Sequence, residues 1–126
     1  MRKKHTLTSV MVLLFTGFFF VAFQTQKINI TGKWNLNVET PAGSGNPVLV
    51  LKQENDTLIT GTYSGLFGET QLKGTISGNK IDITIPTDMV TMQYQGTVEN
   101  ETIKGKVIYN VSEIGEGTFT AVKAKE

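Results

Sequence analysis

Residues 72–85 read Leu-Lys-Gly-Thr-Ile-Ser-Gly-Asn-Lys-Ile-Asp-Ile-Thr-Ile, two alternating apolar/polar runs that meet at Gly78-Asn79. Side chains alternate across a strand, so a period of two on both sides of a Gly-Asn turn predicts a β-hairpin. Leu72, Gly74, Ile76, Ile81, Ile83 and Ile85 share one face, and Lys73, Thr75, Ser77, Lys80, Asp82 and Thr84 share the other. Each strand therefore has one buried and one wet side. The pattern returns 22 residues later, where Tyr94, Gly96, Val98, Ile103, Gly105 and Val107 take the corresponding positions about a turn at 99–101.

The rest of the chain follows the same rule. Trp34, Leu36 and Val38 alternate with Lys33, Asn35 and Asn37; Ile59, Gly61 and Tyr63 share a face; Ile103, Gly105, Val107 and Tyr109 share another; and Phe119 and Ala121 point inward near the end. The run Val48-Leu49-Val50-Leu51 is apolar on both parities, which predicts a strand covered on both sides. No stretch after residue 26 carries a helical period. About eight short strands at even spacing predict an all-β, antiparallel up-and-down meander. Gly61, Gly74, Gly96 and Gly105 fall on the inward parity, where a residue without a side chain lets a sheet coil tightly, so a closed barrel is expected over a flat sandwich.

In a meander, successive connections lie at alternate ends. Those at 55–56, 78–79 and 99–101 are tight and polar, whereas those at 41–47, 65–69, 86–88 and 112–116 are mostly longer and carry Pro41, Pro47, Leu66, Phe67, Pro86 and Ile114. The second set marks the expected mouth.

The N-terminus differs from everything after it. Arg2, Lys3 and Lys4 precede an apolar run from Val10 to Phe23 and a polar Gln24-Thr25-Gln26 stretch, the three parts of a secretory signal. The run is shorter than the roughly 20 residues a membrane span needs, and Thr16 and Gly17 interrupt it. Residues 1–26 are expected to be a signal peptide, cut after Ala22 or near Gln24, and 27–126 a single barrel domain, periplasmic or extracellular and not membrane-bound after cleavage. Four Asn-x-Ser/Thr sequons, at Asn29, Asn55, Asn100 and Asn110, are the accidents expected of a chain rich in Asn and Thr.

Composition then removes whole classes of chemistry. The chain has no cysteine, which excludes a disulfide framework, a thiolate nucleophile and a thiolate zinc site. Loss of the signal also removes the one histidine, His5, and the one arginine, leaving nine lysines against eleven carboxylates. A domain of net charge −2 with no arginine has no basic stripe for nucleic acid. The carboxylates Glu69, Asp82, Asp88, Glu113 and Glu116 sit in loops or on the outward parity, where solvated charge is the expected state. No spaced Asp-x-Asp loop is present, so no metal site or cofactor is expected.

The start Gly32-Lys33-Trp34 resembles the Gly-x-Trp opening of the calycin superfamily, the lipocalins and avidins. The runs Leu58-Ile59-Thr60-Gly61-Thr62-Tyr63 and Gly117-Thr118-Phe119-Thr120 are more similar to avidins. The resemblance implies a closed end where Trp34 packs beside a basic side chain of the last strand, a role that Lys123 fits. The avidins' pocket tryptophans have no counterpart here, so biotin is not the expected ligand.

The expected function is a secreted, non-enzymatic barrel binding a small apolar molecule or peptide at its mouth. Candidate contacts are the inward Tyr63, Tyr94, Tyr109 and Met92 and the mouth residues Leu66, Phe67, Met89 and Ile114. Core filling is the competing expectation for the tyrosines, and plugging of the mouth for Leu66 and Phe67. The alternative function is a protein-interaction module, such as a secreted protease inhibitor or an accessory domain; a cyclase-like barrel enzyme fits least, for want of histidine.

Overall fold

The computed structural model describes residues 28–125, so the expected signal segment lies outside the described residues. Nine strands form one antiparallel sheet: β1 (Gly32–Thr40), β2 (Gly43–Gly45), β3 (Val48–Gln53), β4 (Leu58–Gly65), β5 (Gly68–Ser77), β6 (Lys80–Pro86), β7 (Thr91–Glu99), β8 (Thr102–Tyr109) and β9 (Glu116–Lys123). β9 returns to β1 along the register Trp34↔Lys123 to Glu39↔Thr118, which closes the sheet. β2 is not a separate stave. It meets β1 in the same register as β3, from Asn35↔Val48 through Val38↔Gly45 to Thr40↔Gly43. The break at Asn46-Pro47 is bridged by Leu36 N–H donating to the Pro47 carbonyl (3.0 Å) and by the Asn46 amide donating to the Leu36 carbonyl (3.2 Å). Pro47 has no N–H to give the ladder, and the Asn46 side chain supplies that donor to the Leu36 carbonyl instead, so the strand continues as a short arm. The result is the expected closed eight-stranded antiparallel barrel.

The alternating parity places Trp34, Leu36, Val38, Ile59, Leu72, Ile76, Ile81, Ile83, Ile85, Val98, Ile103 and Val107 inside, and no polar or charged residue is buried with them. Each such side chain contributes on the order of 1.5–3 kcal/mol relative to an exposed one, which makes a one-residue slip of any strand prohibitive. Val50 corrects one expectation: it points outward and is 47% exposed, so β3 is covered on its inner face only.

Closure at this size needs close backbone approach, supplied where Gly96 on β7 pairs directly with Gly105 on β8. A Cβ at Gly105 would collide with the Gln95 carbonyl oxygen, and one at Gly96 would lie 2.9 Å from the ring tip of Phe119. Phe119, paired with Gly105 from β9, brings its ring tip against Gly96, where a side chain would otherwise stand.

The two ends differ. At one end lie the turns at 54–57, 78–79 and 100–101, and the segment before β1 crosses beneath them. Ile30 is buried there, its N–H donates to Gln53 Oε1 (3.1 Å), and its carbonyl accepts from Trp34 Nε1 (2.9 Å). Lys123 Nζ stands 6.0 Å from the Trp34 ring centroid, and its stem crosses Gly32 so closely that a Cβ there would lie 2.8 Å from Cε. Gly32, Trp34 and Lys123 thus meet at the closed end. Three of the sequon asparagines act as acceptors: Asn29 Oδ1 takes the Thr31 N–H and Asn55 Oδ1 those of Thr57 and Leu58 within their own turns, while Asn110 Oδ1, at the mouth end, takes that of Thr91. Asn100 adopts the left-handed conformation its turn requires (φ 57°).

At the other end the expected long loops are mostly short. Thr40 pairs with Gly43 and Gly65 with Gly68, so 41–42 and 66–67 are two-residue hairpin turns. The β6–β7 connection runs over 87–90 and is fastened by Thr87, whose Oγ1 donates to the Val90 carbonyl (2.7 Å) and accepts the Val90 N–H (3.0 Å). Only the β8–β9 connection, 110–115, is a true loop.

This packing makes a stability prediction. Gly105→Ala should destabilise the domain by about 1–3 kcal/mol or more in a urea titration, because the colliding atoms are backbone and cannot swing away. Gly45→Ala, whose added Cβ meets nothing within 4 Å, should change stability by less than about 0.5 kcal/mol.

Candidate functional site

Above the buried layer the barrel does not fill. A cup of about 440 Å³ opens between the arm, the β4–β5 turn and the β8–β9 loop. Its floor and walls are the rings of Tyr63, Tyr94 and Tyr109 with Val38 and Pro47; its rim is Phe67, Leu66 and Ile114 on one side and 42–46 of the arm on the other. No charged residue lines it. A second concavity of about 560 Å³ lies on the outer wall of β5–β8, between Lys80, Asp82, Lys104 and Lys106. It is formed by outward-facing polar side chains, so the apolar cup is the stronger candidate for a small-molecule site.

Each tyrosine is placed by a different local reason. Tyr63 stands on the inward parity of β4, and Gly65 leaves room for its phenol, which a Cβ at that position would touch. Tyr94 is held by Phe119, with ring centroids 5.0 Å apart and planes at 71°, an edge-to-face contact. Tyr109 ends β8 and meets the Phe67 ring at 6.2 Å. Burial pushes all three hydroxyls above the ordinary phenol value, and Tyr94 furthest, with the neighbouring Tyr109 and Tyr63 adding to the rise. A backbone hydrogen bond from Phe67 pulls against this at Tyr63. The cup therefore presents neutral phenols at physiological pH, groups that donate and accept hydrogen bonds.

Of the eight residues expected at the site, the structure brings six together: Tyr63, Leu66, Phe67, Tyr94, Tyr109 and Ile114. Two are elsewhere. Met92 pairs with Tyr109 and Ile85 and has no exposed surface, so it belongs to the core outside the cup lining. Met89 lies in the β6–β7 connection, is 71% exposed and is not part of the lining. Leu66 and Phe67, expected to act alike, do not: Phe67 packs against the core, while Leu66 stays 87% exposed. The sequence pattern does not reveal the arm as a wall. Its composition, Pro-Ala-Gly-Ser-Gly-Asn-Pro, reads as loop, and the one signal to the contrary is the two-residue spacing between Thr40 and Gly43.

The fold and the cup define a small closed barrel with an apolar, uncharged cavity at one end. No family profile and no curated protein matches the chain. Among solved structures it is similar to a redesigned beta barrel (TM-score 0.64, 14% identity, covering 76% of this chain and 92% of that one). It is also similar to EF1p2_mFAP2b bound to DFHBI (TM-score 0.60, 15% identity, 75% and 94%). A third likeness is to a de novo designed fluorescence-activating beta barrel (TM-score 0.51, 13% identity, 75% and 93%). At these identities the likeness is one of fold.

The raised phenols carry a pH consequence. The unfolded chain ionises its tyrosines near the ordinary value of 10.0, while the folded chain holds Tyr94 protonated. The unfolded state thus loses protons first, so this contribution to stability is complete below that value and falls as pH rises through it toward the folded value. Thermal unfolding followed from about pH 8 to about pH 11 should show a falling midpoint, with a shallower fall in Tyr94→Phe.

Proposed function

We propose that this protein is an exported, non-enzymatic, calycin-like barrel that binds a small apolar molecule in the cup at its open end. The observation that carries the reading is the cup itself: about 440 Å³, within the range of small-molecule sites, walled by aromatic rings and opening beside a closed and well-packed core. A barrel of eight strands has an interior just wide enough for side chains or for one small ligand, and here the packed layer stops short of the mouth. EF1p2_mFAP2b, a barrel of like fold, is bound to DFHBI, which supports the same use of the interior. The polar groups of the lining, three phenols with Thr40, Ser44 and Asn46, orient a ligand and supply neither a general base near neutrality nor a nucleophile–base pair. Export rests on the basic start and apolar run of residues 1–26.

A second reading, a peptide partner held at the mouth, draws on the exposure of Leu66 and Met89 at neighbouring tips.

Binding of the uncharged dye Nile red, followed by its emission, separates these readings. Gly45 faces the cup opposite Val38 and an added Cβ meets nothing there, so Gly45→Phe should fill the cup without disturbing the barrel. Dye affinity should fall about tenfold or more in that variant and stay within about twofold in Met89→Ser, which lies outside the cup lining. No binding to the native protein, or equal binding to Gly45→Phe, removes the cup from consideration. Expression of the full chain in a secreting bacterial host should yield a periplasmic or extracellular product that lacks the basic start, as read by intact mass.

A further inference from the structure

The charges of this barrel are sorted along its axis, and the sorting bears on what the cup accepts. The mouth comprises the turns at 41–42 and 66–67, the connections at 87–90 and 110–115, and the two outermost residues of each strand that enters them. Within it lie Glu39, Glu69, Asp88, Glu113 and Glu116, and no lysine. All five are exposed. The lysines lie on the barrel wall or at the closed end: Lys106 is three positions down β8, Lys73 is five positions down β5, and Lys33, Lys80, Lys104 and Lys123 are near the far ends of their strands. Neither arginine nor histidine occurs among the described residues. A ligand approaching the cup therefore crosses a ring of like-signed charge, and inside it finds no cation.

Both effects act in the same direction on an anion. Like charges at a mouth with low-dielectric walls repel it on approach, and a carboxylate moved from water into an apolar cup needs a paired cation or several donors to offset its lost hydration. The cup offers phenols instead. Tyr94 and Tyr109 make no hydrogen bond through their hydroxyls among the described residues, although both line the cavity and both are buried. An unused donor in an apolar site gains from an uncharged acceptor and loses when a pure hydrocarbon covers it.

We infer that the cup selects an uncharged apolar molecule bearing a hydrogen-bond acceptor such as a ketone or ester carbonyl, which it meets with the Tyr94 and Tyr109 hydroxyls, and that the carboxylate ring at the mouth turns away anionic lipids and acids. The inference rests on the reading of the cup as a small-molecule site, and it concerns selectivity within that reading.

Three probes of one skeleton test it: ethylpyrene, acetylpyrene and pyrenecarboxylate, titrated against the protein at neutral pH and followed by pyrene emission. Acetylpyrene should bind at least about tenfold more tightly than pyrenecarboxylate and about threefold more tightly than ethylpyrene. In Tyr94→Phe/Tyr109→Phe the preference for acetylpyrene over ethylpyrene should vanish. In Glu69→Lys/Glu116→Lys, pyrenecarboxylate should gain about fivefold or more, and in the native protein it should gain as salt is raised, since screening weakens the ring's repulsion. Carboxylate binding as tight as ketone binding, or a ketone no better than the hydrocarbon in the native protein, overturns the inference and leaves the cup a binding site. Failure of all three probes to bind overturns both this inference and the small-molecule reading beneath it.

Discussion

The contact on which the rest of this barrel depends is a glycine pair covered by a ring. Gly96 and Gly105 stand opposite each other on β7 and β8, and neither position has room for a Cβ. Two side chains removed from facing positions let the sheet coil tightly enough to close with eight strands. The Phe119 ring tip reaches in against Gly96 from β9, and an edge-to-face contact at 5.0 Å makes that ring the support of Tyr94. The residue that sets the floor of the cup is thus held by the packing that closes the barrel. Closure and cavity depth have one cause.

From that floor the two ends diverge for physical reasons. Toward the closed end, Ile30 and Trp34 fill the interior, and the Trp34 indole N–H reaches the Ile30 carbonyl across the base. The segment before β1 thereby satisfies a donor and supplies a plug at once. Toward the mouth no comparable segment crosses among the described residues. The turn at 66–67 brings only the Phe67 ring partly inward, and the arm formed by Thr40 and 41–47 rises beside the opening. The arm keeps the register of β3 against β1 past Pro47 and forms one wall of the cup.

Most of this architecture is legible in the sequence because it follows from parity. Strict alternation around Gly78-Asn79 and its echo around Asn100 assigns every inward residue of β5–β8, and a period of two leaves no second solution. The meeting of Trp34 with Lys123 does not follow from parity; it is what the Gly-x-Trp resemblance implies, and the structure places the two together. Two things are not legible. Turn length at 41–47 and 65–69 is shorter than composition suggests, because glycine and proline signal a break but do not say whether the flanking residues still pair. Depth below the surface is also hidden. Met92 stands one inward step nearer the mouth end of β7 than Tyr94, yet Met92 is sealed in the core and Tyr94 lines the cup. Parity distinguishes inside from outside; which inside positions line the cup depends on the neighbours that cover each one.

That difference between parity and depth explains how an ordinary core composition yields a cavity. Apolar residues at every inward position predict a filled barrel, and for most of its length the barrel is filled. The cup is lined by large rings held in ring–ring contacts, Tyr94 by Phe119 and Tyr109 by Phe67, rather than by branched aliphatic chains that could collapse toward the axis. A ring so held cannot turn to fill the space without abandoning its contact. The space stays open, and the hydroxyl at the tip of each ring is the polar group left facing it. Covering a phenol costs free energy unless its hydroxyl finds a partner, so the contents of the cup must answer the hydroxyls as well as fill the space. A cavity kept open by braced rings and lined by donors without a protein partner is a poor way to build a core and a direct way to build a receptor.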